Sequence, residues 1–228
     1  MKRTGDDTTM GMTRAFYYVV NTGFSKERVQ EILSEMTSRE MASLPPQAGQ
    51  ILKKLGGGER ALELLEMLGK TVQIFGKDSI VAWREDARMF PVFDTNSCEG
   101  HTAVIMDNEV LAQYFQAPVL SFSVMDSDVM FVVYRDRENG EKVSCARPNY
   151  SGTDEEIYDT NLYKVEFPEP LLKYCGEGEQ QKLRDIWESE DYTFAEDRME
   201  AICELLGLDI VYVREDIPEG YEVVTAFA

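Results

Sequence analysis

Histidine is almost missing from this chain: His101 is the single one among 228 residues. An imidazole base would have to be that residue, and a zinc site of four donors has little to draw on. Cysteine is sparse as well. Cys98, Cys145, Cys175 and Cys203 lie far apart, with no C-x-x-C spacing between any two of them. An even count permits disulfides, but a chain this long with its own core does not need them; Cys203 reads as a buried thiol, and a reducing cytoplasm is the default expectation. Long apolar runs are also lacking. No stretch approaches the roughly 20 residues needed to span a bilayer, and the opening MKRTGDDTTMGMTR has no hydrophobic segment after its basic residues, unlike a signal peptide.

Basic charge is the fourth shortage. The net charge is -19, and it is unevenly spread. Residues 1–90 hold 13 Lys and Arg against 12 Asp and Glu, which leaves 10 against 30 for residues 91–228. Such a surface repels nucleic acid and anionic membranes, and it suits either solubility alone or a basic protein partner.

What the chain does contain is a globular balance, 43% hydrophobic and 29% charged. Residues 1–12 read as a disordered leader and 13–228 as a single α+β domain, with any sub-boundary near 90–105. Ala15–Asn21 (AFYYVVN) is aromatic and β-branched, a buried strand. Ser25 then caps a helix whose apolar stripe is Val29, Ile32, Leu33 and Met36. Leu44–Pro46 breaks the chain into a loop.

A helix–strand–strand pattern then recurs three times. The first copy is RALELLEMLG (stripe Leu62, Leu65, Met67, Leu68) with KTVQIFGKDSIVAW, turning at Gly76–Ser79. The second is NEVLAQYFQA with PVLSFSVMDSDVMFVVYRD, turning around Asp126–Asp128. The third is DRMEAICELLG (stripe Met199, Ile202, Cys203, Leu206) with LDIVYVREDIPEGYEVVTAF, turning around Ile217–Gly220. Gly69 and Gly207 stand where a helix C-cap wants a left-handed residue. Asn139-Gly140 marks a hairpin between strands near Val129–Tyr134 and Lys142–Ala146. SGTDEEIYDTN reads as an acidic surface loop and YKVEF as a short edge strand. PEPLLKYC begins a short helix with Pro170 in its first turn, and GEQQKLRDIWESE forms another with Leu183, Ile186 and Trp187 on one face. Units of this kind make an α+β fold, a mainly antiparallel sheet with helices packed on one side.

Four constellations are candidates for chemistry. Asp126-Ser127-Asp128 ends an apolar strand, where two carboxylates one residue apart can share a hard cation; a metal-dependent transferase or hydrolase would use them so. A solvated turn explains them with fewer parts, because residues 15–110 supply no nucleotide-binding α/β half. In Cys98-Glu99-Gly100-His101 a thiol and an imidazole stand three apart with no third group to orient the ring, which favours a plain loop. Gly56-Gly57-Gly58-Glu59-Arg60 lacks the following Lys-Ser/Thr of a phosphate loop and reads as a helix junction. The acidic and aromatic run Trp187, Glu188, Glu190, Asp191, Tyr192, Phe194, Glu196, Asp197 fits a docking surface, or else a helix–loop–helix corner with its three aromatics turned inward.

The stretch Val119–Val143 (VLSFSVMDSDVMFVVYRDRENGEKV), followed later by ESEDYTFAEDRMEAICELLGL, resembles uncharacterised bacterial proteins of the immunity, or toxin-neutralising, type. The likeness covers about half the chain and brings no catalytic residues with it. It implies a binding role. Together with the charge asymmetry, it sets the expectation of a non-enzymatic inhibitor with no cofactor and no metal. Asp126, Asp128, Glu190 and Asp191 would face a basic protein partner, and the rivals are the metal enzyme above or an assembly subunit.

Overall fold

The computed structural model describes residues 14–38, 79–94, 101–149, 162–211 and 214–226. The run RAFYYVV forms strand β1 (Arg14–Val20). Its successive side chains point to opposite faces, and both faces are buried: Tyr17 and Val19 enter one apolar cluster, Phe16 and Tyr18 another. A strand covered on both sides must be apolar at consecutive positions, which is why this run does not alternate with polar residues.

β1 lies in the middle of a seven-stranded sheet. The other strands are β2 (Ser79–Trp83), β3 (Met89–Asp94), β4 (Val119–Met125), β5 (Val129–Asp136), β6 (Glu141–Pro148) and β7 (Glu222–Thr225). Their order is β6-β5-β4-β1-β3-β2-β7, and every neighbouring pair is antiparallel. Strands from before and after residues 90–105 share this one sheet.

Helix α1 (Lys26–Ser38) starts as its sequence dictates: Ser25 Oγ accepts the Arg28 N–H at 3.2 Å, and the Ser25 carbonyl accepts that of Val29 at 3.0 Å. Val29, Ile32, Leu33 and Met36 are all buried. With α2 (His101–Phe115) they cover the Tyr17 face of the sheet. α2 brings polar groups into this layer, each matched to the sheet. Tyr17 donates its hydroxyl to Asp107, Glu109 pairs with Arg135, and Asn108 Nδ2 reaches Val119 O, Ser121 Oγ and Val133 O at 2.8–3.1 Å.

The opposite face carries a 3₁₀ turn (Glu169–Tyr174, with Pro170 in its first turn), α3 (Gln180–Glu188) and α4 (Ala195–Leu206). The α+β, antiparallel architecture is as expected, but the helices lie on both faces rather than one. The sheet requires this, since a single helical layer would leave Phe16, Tyr18, Phe122 and Val132 in water. α3 buries Leu183 and Trp187, with Ile186 half-covered. α4 buries Met199, Ile202, Cys203 and Leu206 and stops at Gly207, whose φ of 66° frees the Leu208 N–H to bond Cys203 O at 2.8 Å.

Of the three expected helix–strand–strand units, the second forms as α2, β4 and β5. The others do not establish a repeat. Most of the first, and its Gly76 turn, lies outside the described residues, where only β2 is seen. In the third, Leu208–Ile210 packs partly buried against the α4 cluster instead of forming a strand, and Arg214–Asp216 is a short 3₁₀ turn. The Ile217–Gly220 turn is present, but β7 pairs with β2, about 140 residues away in sequence. β3 has no counterpart among the expected strands; it carries Pro91, and proline is disfavoured in a strand paired on both sides. The ladder from β2 ends at Val92, so Pro91 sits where only β1 is paired, opposite Tyr18.

One local expectation holds and one is corrected. The Asn139-Gly140 hairpin forms between β5 and β6, which contain both expected strands, and its connection is a four-residue loop closed by the pair Asp136–Glu141. Only Gly140 is left-handed (φ 68°), whereas a tight two-residue turn needs both residues so. Asp136 takes over the shaping, accepting the Asn139 N–H and Nδ2 at 3.2 and 2.7 Å. YKVEF is a single parallel bridge, with Lys164 bonded to Ser144 O and Ala146 N beside β6. The leader, Leu44–Pro46, Gly56–Arg60, Gly69, Cys98 and the loop 151–161 lie outside the described residues. His101 is the first residue of α2 rather than part of a loop.

Candidate interaction surface

β4 must reverse into β5 within three residues. The Asp128 N–H bonds Met125 O at 3.0 Å, and the two residues between are both left-handed, Asp126 at φ 51° and Ser127 at φ 62°. Aspartate tolerates that conformation; serine does so at a cost of about 1–2 kcal/mol. The cost is offset from the other side of the turn. Ser127 is buried and donates its hydroxyl to Glu196 Oε1 at 2.9 Å, while its carbonyl accepts the Ala195 N–H at 2.8 Å.

That second bond also explains how α4 begins. Its N-cap is Phe194, which offers no side-chain acceptor and forgoes about 1 kcal/mol relative to Ser or Asp. Ser127 O substitutes from a distant turn, and Glu196 and Asp197 complement the positive end of the helix dipole. Four buried apolar side chains, each contributing about 1.5–3 kcal/mol, outweigh the missing cap.

Asn149 ties the neighbouring pieces together. Its N–H bonds Asp128 O at 2.8 Å, its Nδ2 donates to Tyr192 O at 3.1 Å, and its Oδ1 accepts from Arg198 Nη2 at 3.2 Å. The C-terminus of α3 is held by two guanidinium groups. Arg198 donates to Ile186 O and Trp187 O; Arg147 donates to Trp187 O, Glu188 O and Glu190 Oε1. Cations are favoured at this end of a helix. Arg198 is wholly buried, and burial, reinforced by the nearby Arg147 charge, lowers its pKa to about 10.

The four carboxylates singled out from the sequence thus share one corner of the molecule, although two sit on the β4–β5 turn and two on the loop joining α3 to α4. Asp126 and Asp191 are exposed and Asp128 is half-buried. Glu190 is exposed but engaged: Arg147 holds it at 2.7 Å and draws its pKa below the usual carboxylate range. Asp191 accepts a 3.3 Å bond from Ser189 Oγ. Trp187 is in the core, Tyr192 is half-buried beneath Arg198, and Phe194 is 40% exposed, so this acidic–aromatic segment is partly a packed corner and partly open surface. Among the described residues, no three His, Cys, Asp or Glu side chains are grouped so as to hold a metal ion.

Arg147, Asn149, Ser127, Glu196 and Arg198 organise this corner; the sequence marked only Ser127 and Glu196, each within its own segment, and did not pair them. A buried polar partner leaves no periodic signal; the one available hint was a serine at a turn position that favours glycine. An acidic groove also runs along the outer side of α1, lined by Glu27, Gln30, Glu31, Ser34 and Glu35. There Arg28 pairs with Glu31 and Glu35.

No family model matches the chain, and no curated protein or solved structure matches it. No helix among the described residues is long and apolar enough to cross a membrane.

Proposed function

We propose that this chain is a non-enzymatic binding protein of the immunity type, which blocks a basic protein target by occlusion. Asp126, Asp128, Glu190 and Asp191 steer and pair with Arg and Lys around the target's active site. The observation that carries the reading is the convergence of the β4–β5 turn and the α3–α4 loop on one corner through Ser127 and Asn149. Charge steers association, and an accessible aromatic supplies the energy that surface charges do not. The exposure of Phe194 and the bond from the neighbouring Ala195 N–H to Ser127 O in the turn support that role. The excess of acid over base in residues 91–228 supports the same reading.

The test is capture of partners from the host lysate, washed across a salt gradient and read by mass spectrometry. One basic protein should be retained at low salt and released as salt rises. Reversal of all four carboxylates to lysine should abolish that capture while the protein stays folded. Capture unchanged by the reversal would overturn the proposal.

A further inference from the structure

We draw no further inference here: the strongest candidate, the acidic corner where the β4–β5 turn meets the loop between α3 and α4, belongs to the surface already described, and nothing among the described residues shows that the buried carboxylate of Glu196 beside it faces a ligand.

Discussion

Ser127 and Glu196, 69 residues apart in sequence, share a buried 2.9 Å hydrogen bond that locks the β4–β5 turn onto the first turn of α4. We predict that Ser127→Ala costs about 1–3 kcal/mol, because it strips Glu196 Oε1 of its donor next to an Oε2 that already has none. Ser127→Gly loses the same bond but relieves the left-handed backbone, and should recover about 1 kcal/mol relative to alanine. Urea denaturation decides both. Equal stability of wild type and Ser127→Ala would show that the bond contributes nothing.

Asn149 serves three elements at once, so its removal should be felt beyond its own position. Asn149→Ala takes partners from Tyr192 O and from the buried Arg198 guanidinium, an expected loss of about 2–3 kcal/mol. Asn149→Asp keeps the acceptor facing Arg198 and should lose less. If the alanine variant unfolded within about 0.5 kcal/mol of wild type, as ordinary surface substitutions do, this account of Asn149 would fail.

Alkaline pH should weaken the fold. Burial pushes the Cys145 and Cys203 thiols from an ordinary value of 9.0 up to about 12, and raises Tyr134 in the same direction. As pH rises past 9 the unfolded chain ionises these thiols while the folded one does not. Their contribution is therefore complete below pH 9 and declines as pH climbs towards 12. The urea midpoint should fall across that window, and fall less in a Cys145→Ala, Cys203→Ala double variant measured against its own neutral-pH value. In the native protein at pH 8, a thiol reagent should reach half-exposed Cys175 before either buried cysteine; the reverse order would contradict the packing.

If the acidic corner binds a basic partner, Phe194 and the carboxylates should separate experimentally. Phe194→Ala is expected to lower the affinity of the captured protein about tenfold, chiefly through faster dissociation. Its salt dependence should stay as in wild type. Neutralising Asp126 and Asp128 should instead slow association and flatten the salt dependence. Binding by Phe194→Ala at wild-type affinity would exclude the aromatic anchor while leaving the electrostatic reading intact.

Much of the local structure was legible because its causes are close in sequence. The aromatic run at Ala15–Val20, the Ser25 cap, the stripe from Val29 to Met36, the β4–β5 hairpin and the Gly207 terminus each depend on residues within a few positions. The four corner carboxylates were visible by type and clustering. That Glu190 is already paired was not, because Arg147 lies 43 residues earlier on the edge of the sheet.

What remained was decided by packing between distant segments. β3 was not among the expected strands, and it accommodates Pro91 because the β2 ladder ends at Val92. β7 looked like half of a local hairpin, yet its partner is β2, and no short-range pattern encodes which strands meet. The second helical layer follows from the same cause, since a strand apolar at every position does not say what will cover each face. The sequence by itself determined the elements and their charge. The tertiary structure decided which elements touch, because pairing and burial depend on groups that become neighbours only when the chain has folded.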